Sequence, residues 1–405
     1  MRVEIKDKKN FIEIFNKKYS QNLSTINGIS IDSRNIKPND LFIPIKGLSV
    51  DGHKFIDDVL KIDGTICFNE KTNIVNKRII KTSSNKDAIM NIASLWRKKI
   101  KSDIIAVTGS NGKTTFKELL HHIIKNQFAC SKSAGNHNST IGLPLTFLNC
   151  KINDNYTILE LGASRAGEIG KLCKTIKPKY SLITNISNAH IGNFQSIDDI
   201  TECKSEIFKY LDNNGIAFIN ANDQRISSIN IKGNKITFGI NKNSDYNGKI
   251  LNNNKISING FILEIPKNIY HLNETILAAY TICNTIGIKN STFQESINTF
   301  SVPNGRGKII NCNNYQIIDD AYNASPASMR FGINRLSNME VKNKKILVMG
   351  DMLELGEHTI KEHKDLGNFI NSKDIDVILT IGKNMSHLYD TLNKSDQVKK
   401  HFLNI

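Results

Sequence analysis

The run Asp103–Thr108 (DIIAVT) leads directly into Gly109-Ser110-Asn111-Gly112-Lys113-Thr114-Thr115, and a helix-spaced apolar pattern follows over 116–125. A continuous apolar run of this length suits a strand buried on both faces of a parallel sheet. A strand that turns through glycines into a helix wraps its backbone closely around an anion. The loop N–H groups and the helix N-terminus attract phosphate, Lys113 reaches toward the outer phosphates, and the Thr114 hydroxyl is placed for Mg²⁺. The loop is shorter than G-x-x-x-x-G-K-[ST], since Val107 stands where the first glycine would be. The bland alternative is an ordinary glycine-rich turn; Gly-Lys-Thr-Thr between strand and helix argues against it.

Around this loop the chain divides into three regions. The first, over 1–82, has short apolar segments at 29–31, 41–45 and 65–68, the style of a small α/β module. A helix pattern over 87–100 follows, with Trp96, the only tryptophan, read as a core anchor. The second region, 83–302, alternates strands at 103–108, 156–161, 180–185 and 215–220 with helices at 116–125 and 167–176, which implies βαβ units. Its pattern changes over 236–266 to short Asn- and Gly-broken segments that read as β-hairpins, followed by a helix over 273–286. The third region, 303–405, returns to α/β style with strands at 316–319, 345–349 and 377–381.

A net charge of +16 raises nucleic acid or a membrane surface as partners, but the lysines are scattered among Asn and Ile with no block of like charge. No apolar run approaches the roughly 18–20 residues of a bilayer span, and the N-terminus lacks the apolar core of a secretion signal. The expectation is a cytoplasmic protein without membrane insertion and without nucleic acid as partner. The seven cysteines are odd in number, widely spaced and without C-x-x-C, so they read as reduced, mostly core thiols.

Two more residues sit at the carboxyl ends of expected parallel strands, where ligands of open α/β sheets bind. Glu160 ends one strand and is a candidate Mg²⁺ ligand; His190 follows another. Each alone is more often an ordinary polar residue. Lys204, on a helix pattern, carries no compositional signal.

The residues then identify a family. The sequence resembles the ATP-dependent Mur ligases through Asp32-Ser33-Arg34, Asp51-Gly52-His53, the Thr108–Thr115 loop, Gly135-Asn136-His137-Asn138-Ser139-Thr140, Glu160-Leu161-Gly162-Ala163, Thr184-Asn185-Ile186 with His190, Lys204-Ser205-Glu206, and Gly305-Arg306-Gly307. Asp319-Asp320-Ala321-Tyr322-Asn323-Ala324-Ser325-Pro326 and Gly350-Asp351-Met352-Leu353-Glu354-Leu355-Gly356-Glu357 point to the branch that adds D-alanyl-D-alanine. The resemblance implies three domains: a small N-terminal α/β UDP-binding module, a central P-loop parallel-sheet ATPase domain and a short C-terminal Rossmann-like domain. It implies that ATP phosphorylates the carboxylate of UDP-MurNAc-tripeptide and that the amine of D-Ala-D-Ala attacks the acyl phosphate, with a monomer as the family expectation.

Roles come with it. Gly109, Ser110, Asn111, Gly112, Lys113, Thr114 and Thr115 would hold ATP. Thr114, Glu160, His190 and Lys204 would hold two Mg²⁺ ions, with Lys204 carbamylated. Lys113, His190, Lys204 and Arg306 form the expected catalytic set; Arg306 also meets the phosphates and Asp320 the ribose. Ser33 and Arg34 fall in the nucleotide-sugar site, Asn138, Ser139 and Arg165 near the muramoyl-peptide path, and Asn323, Ala324 and Ser325 at the dipeptide. The sequence departs from the family pattern at His271-Leu272-Asn273-Glu274-Thr275, where Leu272 and Thr275 replace asparagines and Asn273 is left as the candidate for adenine. It also ends at Ile405, where relatives continue with another strand and a Lys-Gly-Ser segment, so the expectation is a minimal or truncated C-terminal domain. Four other readings fit the sequence less well. A sister ligase or folylpolyglutamate synthase lacks the last two motifs. A nucleic-acid ATPase would concentrate its charge, and a GTPase would carry Asn-Lys-x-Asp. A non-catalytic homologue would not need Lys113, Glu160 and Arg306 together.

Overall fold

Local signals define the elements, and alternation along the strands decides how they stack. The computed structural model describes residues 1–405 except 48, 72–75, 190, 213, 253, 394–397 and 405. The first unit is a five-stranded sheet of β1 (Arg2–Glu4), β2 (Gly28–Ser30), β3 (Asp40–Phe42), β4 (Ile66–Asn69) and β5 (Ile79–Lys81) in sequential order. β1 pairs antiparallel to β2; the others are parallel. The first strand and the helix Lys8–Tyr19 have no clear sequence signal, because that segment mixes lysines with single apolar residues; only Phe11 and Phe15 of the helix are fully buried.

The central unit is a nine-stranded sheet. Its strands are β6 (Asp103–Thr108), β7 (Cys130–Lys132), β8 (Tyr156–Glu160), β9 (Tyr180–Ile183), β10 (Ile216–Asn220), β11 (Asn234–Ile240), β12 (Tyr246–Leu251), β13 (Lys255–Ile258) and β14 (Phe261–Glu264), in the order β14-β13-β12-β11-β10-β9-β6-β8-β7. β6 lies between β8 and β9, parallel to both. The chain therefore leaves β6 toward one edge and later returns on its other side, a topological switch point where α/β crevices form. Along β6, Ile104 and Ala106 face a core shared with helix Asn85–Lys99, while Ile105 and Val107 face a second core under helices Lys113–Ile124 and Asn273–Thr285. Burial on both faces explains why this strand lacks polar alternation. Trp96, 1% exposed and 6.3 Å from the Phe11 ring, anchors the first core to the N-terminal unit as expected.

One expectation needs correction. The hairpin reading of 236–266 holds for β12, β13 and β14, which are antiparallel, but β11 and β12 are parallel despite the short connection between them. Turn residues mark where a strand breaks, and composition carries no information on the direction of the next one.

The C-terminal unit has a hairpin of β15 (Lys308–Asn311) and β16 (Gln316–Asp319), and a parallel sheet of β17 (Ile346–Gly350), β18 (Val377–Ile381) and β19 (Val398–Phe402). β19 (VKKHF) was not read from the sequence, since three of its five residues are Lys or His. One face of this sheet leaves Ile346, Val348, Val398 and Phe402 44–59% exposed. All seven cysteines are free and five are buried. No helix among the described residues is long and apolar enough to cross a membrane.

Candidate functional site

The carboxyl ends of β6, β8 and β9 converge on the phosphate loop. Gly109 has φ +146°, and Gly112, with φ +79°, precedes helix Lys113–Ile124. Residues after β9 hold the loop in place. Ser110 N–H donates to the Asn185 carbonyl (2.8 Å) and Asn111 N–H to Asn185 Oδ1 (3.1 Å). Ser187 N–H donates to Ser110 Oγ (2.9 Å), and Thr184 Oγ1 donates to the Asn111 carbonyl (2.6 Å). The Lys113 ammonium donates to the carbonyls of Gly109 (2.8 Å) and Ser110 (3.1 Å). Desolvation pulls its pKa down, partly offset by Glu160 and reinforced by Arg306, so these three charges share one neighbourhood. Thr115 is buried under the helix start.

Glu160 ends β8 in register with Val107 and is 2% exposed. Its Oε1 accepts from Asn138 Nδ2 (2.8 Å), while its Oε2 is buried without a hydrogen-bond partner, 3.4 Å from the ammonium of the fully buried Lys117. Lys117 donates to the Gly135 carbonyl (2.6 Å). The sequence reading missed Lys117. Its signal was a lysine four residues after Lys113 on the apolar face of the helix, where a charge is kept only if paired. Asn138, expected on the peptide path, thus touches Glu160, and Ser139 Oγ accepts from Gly142 N–H (3.1 Å) at the start of helix Gly142–Phe147.

Lys204 is 4% exposed on helix Ile197–Lys209, and burial together with the Lys113 charge pushes its amine down to about 7. His190 lies outside the described residues. Among those described, no group of three or more His, Cys, Asp or Glu side chains gathers as a metal site. Mg²⁺ on nucleotides commonly takes one or two protein carboxylates and completes its shell with phosphate and water. An orphaned carboxylate oxygen beside a phosphate loop fits that demand.

The C-terminal unit meets the loop directly. Arg306 Nη2 donates to Thr114 Oγ1 (3.3 Å), with its guanidinium stacked 3.6 Å from the Tyr322 ring centroid. Ser325, which caps helix Pro326–Ser337, donates from Oγ to Asn111 Oδ1 (3.1 Å). Asp320 stands at the exposed rim, where desolvation of its inner side, opposed by Arg306 and Arg335, leaves its carboxyl raised to about 6. Ala324 packs on the core and Asn323 is exposed.

The remaining expected residues make local contacts of their own. Asn273 opens its helix and accepts the Glu274 N–H (2.7 Å). Next to it, His271 faces Phe331 at 6.1 Å and is pushed down to about 4 by burial and Arg335. Arg165 is exposed. Ser33 and Arg34 form a 3-10 turn of the N-terminal unit, where Arg34 forks onto Asp32 (2.9 Å twice) and holds that carboxyl below the usual range.

Comparison with known proteins agrees with this architecture. Three family models match in order: the Mur ligase family catalytic domain over 25–102, the Mur ligase middle domain over 107–288, and the Mur ligase glutamate ligase domain over 305–403. The UDP-N-acetylmuramoyl-tripeptide–D-alanyl-D-alanine ligase of Buchnera aphidicola subsp. Baizongia pistaciae is 35% identical, over 90% of this chain and 83% of its own. A crystal structure of MurF from Acinetobacter baumannii superposes with a TM-score of 0.86 at 25% identity, covering 96% of this chain and 88% of that one. MurF from Thermotoga maritima in complex with ADP superposes with 0.80 at 26% identity, covering 93% of each. With a relative 35% identical over 90% of this chain, the chain belongs to the Mur ligase family.

Proposed function

We propose that this protein joins D-alanyl-D-alanine to the terminal carboxylate of UDP-N-acetylmuramoyl-tripeptide with ATP, a cytoplasmic step of peptidoglycan precursor synthesis carried out by a monomer of three domains, 1–82, 83–302 and 303–405. The observation that carries it is the contact of Arg306 and Ser325, from the C-terminal unit, with Thr114 and Asn111 of the phosphate loop. This contact supports a shared crevice for the phosphate-binding loop and the motif that the resemblance assigns to the dipeptide.

The chemistry follows. A carboxylate is a poor electrophile; transfer of the γ-phosphoryl group to its oxygen gives an acyl phosphate and ADP. The neutral amine of the dipeptide then attacks the acyl carbon, the C–O bond to phosphate breaks, and inorganic phosphate and a proton leave. Lys113 and Arg306 offset the negative charge gathered in phosphoryl transfer. Thr114, Glu160 and, by resemblance, His190 and Lys204 would hold Mg²⁺, which when bound neutralises phosphate charge. A Lys204 amine near pKa 7 is partly neutral at neutral pH, the form that takes up CO₂ to give a carbamate and a proton. Gly109–Thr115 would bind the nucleotide, Asp320 its ribose and Asn273 its base; Ser33 and Arg34 would bind the UDP end, Asn138, Ser139 and Arg165 the peptide, and Asn323, Ala324 and Ser325 the dipeptide. Closure of the C-terminal unit over the loop keeps water from the acyl phosphate.

The test is phosphate release from Mg-ATP with UDP-MurNAc-tripeptide, with and without D-Ala-D-Ala, with product mass read in parallel. Release that requires both substrates and yields a pentapeptide is expected. Release without either substrate would overturn the reading in favour of a simple ATPase.

A further inference from the structure

The 350–356 loop of the C-terminal unit has no part in the phosphate chemistry, yet it is built rigidly. Asp351 accepts the N–H groups of Asn384 (3.1 Å) and Met385 (2.8 Å). Met352 N–H donates to Nε2 of the fully buried His363 (3.2 Å), whose Nδ1–H donates to the Thr359 carbonyl (2.7 Å). Glu354 and Gly356 take φ values of +60° and +55°. A non-glycine residue in this region is uncommon and is held there only by its surroundings. The effect is to turn main-chain atoms of 354–356 outward.

Those atoms meet the central unit at Gly192. Its N–H donates to the Glu354 carbonyl (3.0 Å). A Cβ on Gly192 would lie 2.6 Å from Gly356 N, 2.8 Å from Glu354 O and 2.9 Å from Leu355 C; one on Gly356 would lie 3.0 Å from Gly192 Cα. Two backbones are therefore in contact with no space for a side chain on either. Asn188 Nδ2 adds a bond to Glu362 Oε1 (3.1 Å), and Ile191, Met352 and Leu355 are buried. The same central segment, through Asn185 and Ser187, holds Ser110 and Asn111 of the phosphate loop. The 350–356 loop and the phosphate loop thus both bond to one short stretch of the central unit.

We infer that Gly192 and Gly356 form a backbone clasp that holds the C-terminal unit closed against the segment after β9, beside a phosphate loop that Asn185 and Ser187 already brace from within the central unit. Both are positioning residues: turnover depends on the clasp, and nucleotide binding by the central unit does not. This inference rests on the ligase reading above.

The test uses the full chain. For Gly192→Ala, kcat for ligation should fall roughly tenfold or more, since the added methyl must separate the two backbones. KM for ATP and the Kd for Mg-ADP, by calorimetry, should stay within about twofold, and hydrogen exchange at the Gly192 amide should accelerate. Glu362→Ala should lower kcat less, and Glu362→Gln, which keeps the acceptor oxygen, should restore it. If Gly192→Ala does not fold, the Glu362 pair decides. Unchanged kcat in both Gly192→Ala and Glu362→Ala would overturn the clasp, as would an equal fall in kcat and ADP affinity, the mark of general damage. A wild-type chain that does not ligate would instead overturn the ligase reading. The clasp would then stand or fall on whether the wild-type Gly192 amide is protected from exchange.

Discussion

Replacing Gly109 with alanine should be the most damaging single-methyl change in the phosphate loop. The new Cβ would fall on Thr184 Oγ1 and lie 3.0 Å from Thr184 N and 3.1 Å from Thr184 Cβ. Rotating the Thr184 hydroxyl away removes its bond to the Asn111 carbonyl, a loss of about 0.5–1.5 kcal/mol. The backbone nitrogen cannot rotate, because it donates to the Thr108 carbonyl at 2.9 Å. Alanine at φ +146° adds strain of roughly 1–3 kcal/mol. The total is about 1.5–4.5 kcal/mol of stability. Gly112→Ala is the control: φ is +79° and nothing lies within 4 Å of its Cβ, so only a left-handed backbone cost of about 1–2 kcal/mol applies. Urea denaturation of both variants, with matched slopes, measures the difference, and Thr184→Ala combined with Gly109→Ala should recover part of the loss. If Gly109→Ala is no worse than Gly112→Ala, or Thr184→Ala gives no relief, the loop is not braced by Thr184 and the reasoning fails.

Lys117→Met leaves the buried Glu160 without its cation and should cost about 3 kcal/mol in urea denaturation; a loss below about 1 kcal/mol would show that the pair is solvated. His271 has a folded pKa near 4 against an ordinary 6.5, so the unfolded chain takes up the proton first. Stability held above pH 6.5 is then lost progressively toward pH 4, by at most about 1.4 kcal/mol per pH unit, and His271→Gln should flatten that fall when urea midpoints at pH 7.5 and 5 are compared. Lys113→Ala should abolish phosphate release while leaving UDP-sugar affinity, read by calorimetry, nearly unchanged; parallel loss of both would contradict the division of labour between units. Lys204→Ala should lose turnover and regain part of it with short carboxylic acids, and no regain across a concentration series would remove the case for a carbamate.

The sequence by itself determined the elements whose signals are local. The Asp103–Thr108 strand and the glycines of its loop were legible because burial on both faces demands a continuous apolar run and positive φ demands glycine. Trp96 as a core anchor followed from helix spacing. The motif order, carried by resemblance, pointed to the family before any coordinate did. Elements stabilised by pairing or by one or two aromatic contacts, such as β1, β19 and helix Lys8–Tyr19, left too little periodicity to be seen. The parallel pairing of β11 with β12 was equally hidden, since side-chain alternation is the same in either direction.

Only the tertiary structure decided which polar residues act together. Lys117 meets Glu160 because a helix packs across a strand end; Arg306 meets Thr114, 192 residues away in sequence, because two units close on each other. Gly192 and Gly356 explain each other only as a pair. Such contacts depend on the relative placement of distant backbones, and no single segment of the sequence carries that information.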